Sequence, residues 1–298
     1  MVTLISEDSS IVEKLTLALH ESTKDLLQCD SKAIATEFLA TDRVIEQIEL
    51  FKSEINKFEK IDFKGKKLLE VGAGVGTFLI IARTKFGIEA FGVEPSEDEF
   101  SSFNEVSLAL LKEYNLPSNM VAKSVAEKLP FPDASFDFVY STNVLEHVKN
   151  PSKVLSESIR VLKPGGYLQF VIPNYFSFWE GHYGIIWPCI TNKSLAKIYA
   201  KIIGRNPDYI DTLQLINPFY LKKILSGFKN KIKICGWGKD VFKKRLATGN
   251  YSDWASLRRI RPIVSAIQKL KVSTLIANIL NAFEMYTPIV LTIKKIEN

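Results

Sequence analysis

Short apolar runs alternate with helix-length segments from residue 66 onward, and this alternation constrains the fold more than any other feature of the chain. Five runs have the length and composition of buried strands and lie at residues 67–71, 90–93, 120–124, 136–140 and 167–172. Strands separated by helical segments predict βα units and a parallel sheet. In such sheets the crossovers are right-handed and ligands bind at the carboxyl ends of the strands.

Two later apolar runs, at 231–236 and 289–296, are candidates for an antiparallel pair that completes the sheet. The predicted fold class is therefore α/β, with a Rossmann-like, mostly parallel sheet of seven strands. Helical insertions are expected in the C-terminal half, because the regular alternation stops after Asn174.

The chain divides into two predicted parts. Residues 1–65 form an N-terminal helical region, since apolar side chains repeat there at helical spacing. Residues 66–298 form the sheet domain, which carries an aromatic-rich insertion at about 175–230 and a basic helical insertion at about 240–284. The absence of an internal repeat, low-complexity tract or Gly/Ser linker favours one elaborated domain.

The net charge of +6 conceals an uneven distribution. Residues 221–298 contain 16 Lys/Arg and 4 Asp/Glu, a net +12, whereas residues 1–220 carry −6. An anionic partner such as lipid headgroups, a phosphate-bearing substrate or nucleic acid would explain the excess, and so would a solvated surface. A basic helix predicted near 258–283 fits a lid, an interfacial helix on anionic lipid or a dimer face.

Cysteine spacing and hydropathy indicate in which cellular compartment the protein is expected. Cys29, Cys189 and Cys235 stand far apart, which argues against a disulfide scaffold and a zinc site. The first residues lack a signal-peptide pattern, and no uninterrupted stretch of about 18 apolar residues occurs. We therefore expect a cytoplasmic protein, and the basic region leaves peripheral attachment to a membrane open.

A glycine loop follows the first predicted strand. Gly72, Gly74 and Gly76 separate that strand from a helix and permit a tight turn and close approach of a ligand. The spacing differs from a dinucleotide fingerprint, which needs glycine where Thr77 stands, and a P-loop Gly-Lys-Ser/Thr is absent. Glu70, two residues before the first glycine, would repel a pyrophosphate and attract a cation. The alternative is that Glu70 caps local backbone donors.

A second acid ends the next predicted strand. Glu94 lies 22 residues beyond Gly72 and is followed by Pro95, which stops the strand. At this distance from a glycine loop, a carboxylate can accept both hydroxyls of a ribose. Taken alone, Glu94 would be an ordinary surface residue at a strand end.

The glycine loop resembles the Glu/Asp-x-Gly-x-Gly-x-Gly motif of class I S-adenosylmethionine-dependent methyltransferases. Three later segments, residues 125–139, 143–148 and 160–166, resemble successive blocks of the ubiquinone/menaquinone-biosynthesis type of small-molecule methyltransferase. Four ordered motifs at the proper spacing make the resemblance specific. It covers roughly residues 66–174 and does not extend to 175–298.

The resemblance implies S-adenosylmethionine as the cofactor. Glu70 would bind the ammonium of its methionine moiety and Glu94 its ribose. The family usually has Asp before the Ala-Glu pair, where this chain has Val125, so adenine recognition would rest on the backbone of Ala126 and on Glu127. The implied cofactor-binding residues are Glu70, Gly72, Ala73, Gly74, Gly76, Glu94, Pro95, Ala126, Glu127 and Asn143.

The segment Asn143-x-x-Glu146-His147 differs from the Glu-x-x-Glu-His arrangement of metal-dependent ubiquinone O-methyltransferases, because an amide replaces the first carboxylate. A hard divalent cation prefers two or more charged oxygens. We therefore expect no metal, and we expect Asn143 to face the cofactor.

Histidines are the candidates for acceptor chemistry, since a hydroxyl acceptor of high pKa needs a general base. His182 lies in a loop after the fifth strand and is the predicted base or substrate anchor, with Glu180 as its orienter. The alternative is that Glu180, His182 and Tyr183 only fasten the insertion. His147 is a second catalytic candidate or a helix-start residue satisfied by its neighbours, and His20 is expected at the surface.

The resemblance implies methyl transfer, and we predict an oxygen of a small-molecule or lipid/glycan-linked acceptor as its target. The chain lacks the Asn/Asp-Pro-Pro-Tyr motif of nucleic-acid amino methylases and any recognisable RNA-binding module, so nucleic acid is not the expected partner. Aromatic residues at 175–187 would line the acceptor pocket or form the core of the insertion. Two alternatives remain, an NAD(P)-dependent oxidoreductase and a non-catalytic S-adenosylmethionine-binding protein.

Overall fold

A computed structural model describes residues 3–6, 9–23, 30–95, 101–249 and 260–296. Cys29 and the first two residues of the predicted basic helix, 258 and 259, lie outside these ranges.

A seven-stranded sheet forms the centre of the described structure, in the order β3-β2-β1-β4-β5-β9-β8. Strand β9 runs antiparallel to both of its neighbours and the other pairings are parallel, while β6 and β7 form a separate hairpin. The predicted α/β fold class is confirmed, including its final antiparallel pair. The strands are β1 (Lys67–Val71), β2 (Glu89–Glu94), β3 (Val121–Lys123), β4 (Phe136–Thr142), β5 (Leu162–Ile172), β6 (Trp179–Glu180), β7 (Ile185–Ile186), β8 (Ile232–Gly236) and β9 (Ile289–Lys295).

Helices cover both faces of the sheet, so its central strands are apolar on both sides. Successive side chains of a strand point to opposite faces, and Leu68 and Tyr140 therefore join one buried cluster while Leu69 and Val139 join the other. The first cluster is shared with helices α1 to α5 and the second with α6 and α9 to α12. The helices are α1 (Ser10–Thr23), α2 (Ser31–Phe38), α3 (Thr41–Asn56), α4 (Thr77–Phe86), α5 (Ser101–Glu113), α6 (Pro151–Val161), α7 (Lys193–Ile202), α8 (Tyr209–Thr212), α9 (Pro218–Leu225), α10 (Lys239–Thr248), α11 (Arg261–Lys269) and α12 (Ser273–Ala282).

The N-terminal helices pack beside the glycine loop. The hydroxyl of Thr77, at the start of α4, donates a hydrogen bond of 2.9 Å to the carbonyl of Phe38 at the end of α2. Apolar residues of α3, among them Ile48 and Phe51, are fully buried against the same layer. The N-terminal region therefore lies against the carboxyl edge of the sheet, where ligands of this fold class bind.

The aromatic segment after β5 forms a small core of its own. Tyr175, Tyr183 and Trp187 are buried together with residues of α7 and α8. The indole nitrogen of Trp187 donates to the carbonyls of Tyr175 (3.1 Å) and Ile190 (3.0 Å). Of the two interpretations of this segment, these contacts support a core for the insertion.

The prediction of one basic helix near 258–283 is wrong over residues 260–283, because two helices occupy them. Helices α11 and α12 are bent by 117° relative to each other. Lys271 lies between them with φ +56°, a left-handed conformation that terminates a helix. No single described helix is long and apolar enough to cross a membrane, and α11 with α12 meets that length and composition only as a bent pair.

Candidate active site

The glycine loop joins β1 to α4 at the carboxyl edge of the sheet. The backbone N–H groups of Gly72 and Ala73 donate to the carbonyl of Val93 at the end of β2, at 2.9 and 3.0 Å. Gly72 has φ +78°, and a Cβ atom there would overlap the side chain of Val144. Gly74 also has a positive φ, but a Cβ there would meet no described atom within 4 Å. The loop backbone therefore packs directly against Val144 at Gly72, whereas space remains beside the backbone at Gly74.

Two buried carboxylates, Glu70 and Glu94, lie beside this loop. Glu70 is 3% exposed, and its Oε2 has no hydrogen-bond partner among the described residues. Burial, with the nearby charge of Glu94, raises the pKa of Glu70 well above its ordinary value. Glu94 accepts a hydrogen bond of 2.8 Å from the backbone N–H of Gly74, and burial raises the pKa of Glu94 to about 7. Two adjacent buried carboxylates with an unpartnered oxygen form a site that suits a cationic ligand.

Arg43 and Tyr140 extend this group, and the sequence pattern did not identify them. Tyr140 pairs across the sheet with Glu70 and stacks on Phe78 at 4.6 Å between ring centroids. Burial and the charge of Glu70 raise the pKa of Tyr140, whereas Arg43 of α3 acts in the opposite direction. Burial lowers the pKa of Arg43, and the charges of Glu37 and Tyr140 oppose that shift. Nothing in the local sequence distinguishes Arg43 from a surface arginine at the start of a helix.

The remaining predicted cofactor residues occupy the loops after β2, β3 and β4. The carbonyl of Pro95 accepts from the Asn104 amide at 2.6 Å. Ala126 is buried, and Asn143 has φ +53° with its backbone N–H bonded to the carbonyl of Val171. Their roles toward the cofactor stay predictions.

Glu127 has backbone partners of its own. Its Oε1 accepts hydrogen bonds from the N–H groups of Lys149 (2.9 Å) and Asn150 (3.1 Å), just before α6. This carboxylate oxygen therefore fastens the loop that precedes α6. Recognition of adenine by Glu127 stays a prediction, and its other oxygen is the one that such a contact would use.

A second polar cluster lies farther along the same edge. Glu146 and His147 follow β4, and Glu180 and His182 belong to the hairpin that follows β5. The Nε2 atoms of His147 and His182 are 3.2 Å apart, and Nδ1 of His182 is 2.7 Å from Oε1 of Glu180. The structure thus places the predicted base beside its predicted orienter and brings the second histidine against it.

Glu180 holds both the imidazole and the hairpin backbone. Its Oε1 also accepts from the backbone N–H of His182, and its Oε2 accepts from the N–H of Tyr183 at 2.7 Å. Burial raises the pKa of Glu180, but the charge of His182 and these hydrogen bonds lower it on balance. Burial lowers the pKa of His182, and the charge of Glu180 raises it above the ordinary value. The carboxylate of Glu180 therefore orients the imidazole of His182 and also holds the backbone of the hairpin loop that carries it.

Glu146 is the residue of this cluster that the sequence analysis did not assign to the site. It is fully buried, and neither carboxylate oxygen has a hydrogen-bond partner in the part of the chain that the structure describes. Burial raises the pKa of Glu146 to about 7, and burial with the charge of His182 lowers the pKa of His147 to about 3. The available signal was its position, a carboxylate directly before His147 after the fourth strand.

Comparisons with known proteins agree with this architecture. The chain is 35% identical over 120 residues to a protein of Mycobacterium tuberculosis named "Uncharacterized methyltransferase", a match that covers 40% of this chain and 42% of the relative. The chain thus spans about two fifths of the length of that relative. The [4+2]-cyclase SpnF has a similar structure, with a TM-score of 0.51, 18% identity and coverage of 100% of this chain and 98% of that chain.

A complex of Haemonchus contortus phosphoethanolamine N-methyltransferase 2 with S-adenosyl-L-methionine also aligns, with a TM-score of 0.45 and 18% identity over 82% of this chain and 51% of that chain. A family model described as a methyltransferase domain matches residues 44–223, which is more than half of the chain. That match, on a chain with this sheet order and glycine loop, shows that the protein belongs to the methyltransferase-domain family.

Proposed function

We propose that the protein transfers the methyl group of S-adenosylmethionine to an oxygen atom of a small-molecule or lipid/glycan-linked acceptor. The observation that carries the proposal is the position of two polar groups along one sheet edge. Buried carboxylates lie at the ends of β1 and β2, and the cluster of Glu146, His147, Glu180 and His182 follows β4 and β5. A donor at the first group and an acceptor at the second would meet above β1 and β4, which are adjacent strands.

The first group fits the methyl donor by charge. The unpartnered Oε2 of Glu70 suits the ammonium of the methionine moiety, and ionised Glu94 suits the ribose hydroxyls. The open side of Gly74 gives a ligand access to the backbone. When bound, S-adenosylmethionine supplies a methyl group that its sulfonium has already activated.

The second group suits an acceptor that must lose a proton. In the transfer, a lone pair of the acceptor oxygen forms the new O–C bond, the electrons of the C–S bond return to sulfur, and the hydroxyl proton leaves. Positioning the oxygen in line and removing that proton are the tasks left to the protein. His182, held by Glu180, is the proposed base or substrate anchor, and His147 is the second candidate.

The basic C-terminal region supports a lipid-borne acceptor and a membrane-peripheral position in the cytoplasm. Apolar side chains of α12 are exposed one turn apart, with Leu275 at 59% and Ile279 at 48%, and Leu270 before them is 72% exposed. Lys269 and Lys271 flank that residue, within a region of net charge +12. Exposed apolar side chains beside cationic ones fit an anionic lipid surface.

Membership of the ubiquinone/menaquinone-biosynthesis type is part of this proposal, because the family model matches a methyltransferase domain and does not distinguish subfamilies. That match does not favour an oxidoreductase. NADH should therefore produce no change in fluorescence on addition of protein, whereas S-adenosylhomocysteine should bind.

Incubation with methyl-labelled S-adenosylmethionine and fractionated lipid, glycan and small-molecule pools tests the function. We expect one pool to take up label as a base-stable ether, because oxygen is the proposed acceptor atom. His182→Ala should abolish that uptake while the affinity for S-adenosylhomocysteine persists. Label on nitrogen or carbon, or unchanged uptake by the variant, would contradict the proposal.

A further inference from the structure

The cluster of Glu146, His147 and His182 combines a buried carboxylate that lacks a described hydrogen-bond donor with two closely facing imidazole nitrogens. If Nδ1 of His182 donates to Glu180, the Nε2 of a neutral His182 carries no proton. That bare nitrogen faces Nε2 of His147 at 3.2 Å. Beside them, the two oxygens of Glu146 are buried without a described hydrogen-bond partner, and Oε1 is 3.9 Å from Nε2 of His147. A buried carboxylate without a hydrogen-bond donor is unfavourable for the folded state.

We propose that Glu146, His147 and His182 bind a divalent first-row transition metal ion such as Zn²⁺ or Co²⁺. One potential ligand atom from each side chain lies within 4.8 Å of the other two. The ion would satisfy the Glu146 carboxylate and separate the two facing imidazole nitrogens at once.

The distances suit such an ion. Two ligand atoms bound at about 2.0–2.1 Å with tetrahedral geometry are roughly 3.3 Å apart. Here Nε2 of His147 is 3.2 Å from Nε2 of His182 and 3.9 Å from Oε1 of Glu146. The two imidazole nitrogens are therefore already at a suitable separation, whereas the Glu146 oxygen would move about 0.6 Å closer to His147 to complete the site.

Glu180 contacts the ring nitrogen of His182 that does not face the proposed ion. A metal-bound histidine usually donates its other ring nitrogen to a carboxylate or carbonyl, which fixes the ring and its tautomer. The contact of 2.7 Å between Nδ1 of His182 and Glu180 has that form and leaves Nε2 directed at the proposed ion. Glu180 is thus a positioning residue of this site.

This proposal departs from the expectation of no metal in the segment that contains Glu146 and His147. That expectation concerned hard cations, which prefer several charged oxygens. Two imidazoles and one carboxylate instead suit Zn²⁺, Co²⁺ and similar ions, and three protein ligands leave a position open. If the proposed O-methylation holds, the acceptor hydroxyl would occupy that position, and the ion would lower its pKa so that the proton leaves to solvent. His182 would then anchor the acceptor through the ion and would not be the general base.

Metal binding is measured first, without acceptor, on untagged full-length protein freed of metal by a chelator. Co²⁺ should produce visible d–d absorption bands that saturate at one equivalent, and Zn²⁺ should displace them. His147→Ala and His182→Ala should each weaken Zn²⁺ affinity on the order of 100-fold or more, and Glu180→Gln by about 10- to 100-fold. His20→Ala removes the remaining histidine of the chain and should change nothing.

Binding of S-adenosylhomocysteine to every variant verifies that each is folded. Equal Zn²⁺ affinity in the wild type and in a His147→Ala/His182→Ala double variant would overturn the metal inference, and so would an absence of Co²⁺ bands. Full methyl transfer by chelated protein would remove the catalytic role of the ion and leave the proposed function standing. Metal binding by a protein that methylates no oxygen would overturn the proposed function and leave the metal inference standing.

Discussion

The two polar groups at the sheet edge are assembled in different ways. On the cofactor side, Glu70 and the glycine loop are consecutive in the chain, and Glu94 joins them from the neighbouring strand. On the acceptor side, His147 and His182 are 35 residues apart and meet only because the hairpin after β5 folds back over the loop after β4. The cofactor side is therefore a local motif, whereas the acceptor side depends on the packing of an insertion.

The largest effect on the cofactor side is expected from Gly72→Ala. The new Cβ would overlap Val144, and alanine at φ +78° is strained as well. We expect loss of S-adenosylhomocysteine binding beyond detection and a fall of about 2–4 kcal/mol in the free energy of unfolding.

Gly65→Ala is the matched control, because Gly65 also has a positive φ, +70°, but a Cβ there meets no described atom within 4 Å. It should cost about 1 kcal/mol of stability and leave binding intact. Calorimetry and thermal melts of both variants make the comparison. Equal effects of the two substitutions would show that backbone strain alone, and not closure against Val144, matters at the loop.

Charge at the cofactor side is tested by Glu70→Gln. Replacing the carboxylate should weaken S-adenosylhomocysteine binding by about 10- to 100-fold, as expected for the loss of one hydrogen bond to a charged group. The melting temperature of the ligand-free protein should not fall, because the substitution removes a buried carboxyl group whose Oε2 lacks a described hydrogen-bond partner. A large loss of stability with unchanged affinity would instead indicate that Glu70 caps backbone donors.

The burial of Glu94 on the cofactor side should make stability depend on pH, because the pKa of Glu94 is raised from 4.5 to about 7. A carboxyl with a raised pKa favours the folded state while it is protonated. Its contribution is fully present below pH 4.5 and is lost as the pH rises through 7. The ligand-free wild type should therefore lose about 3 kcal/mol relative to Glu94→Gln between pH 4.5 and pH 8. Parallel denaturation profiles of the two proteins would contradict the burial of an ionisable group at this position.

The smallest effect on chemistry is expected at the exposed apolar surface of α12. Leu275→Asp/Ile279→Asp should reduce co-sedimentation with phosphatidylglycerol vesicles several-fold and leave S-adenosylhomocysteine binding unchanged. Leu108→Asp, a comparable exposed leucine on α5, is the control and should not alter sedimentation. Failure of the wild type to bind anionic vesicles better than phosphatidylcholine vesicles would remove membrane contact from the proposal.

Much of the fold followed from local patterns. The strands around Leu68 and Val139 are apolar on both faces because helices cover both, and a buried parallel strand has this composition. The turn at Gly72 was equally predictable, since a strand that enters a helix beside a neighbouring loop needs a residue without a side chain. The break at Lys271 was not predictable, because the apolar repeat continues through it and only a left-handed residue ends α11.

Local sequence patterns were sufficient to predict the strands of the sheet and the acid and glycines at the end of the first strand, because hydrophobic period and backbone conformation act over a few residues. Other contacts became visible only in the folded chain. Arg43 approaches Tyr140, an oxygen of Glu127 binds the backbone before α6, and Glu146, His147, Glu180 and His182 form one cluster. These contacts join segments that are distant along the chain. Their geometry depends on how helices and an aromatic core pack, and no local period encodes that packing.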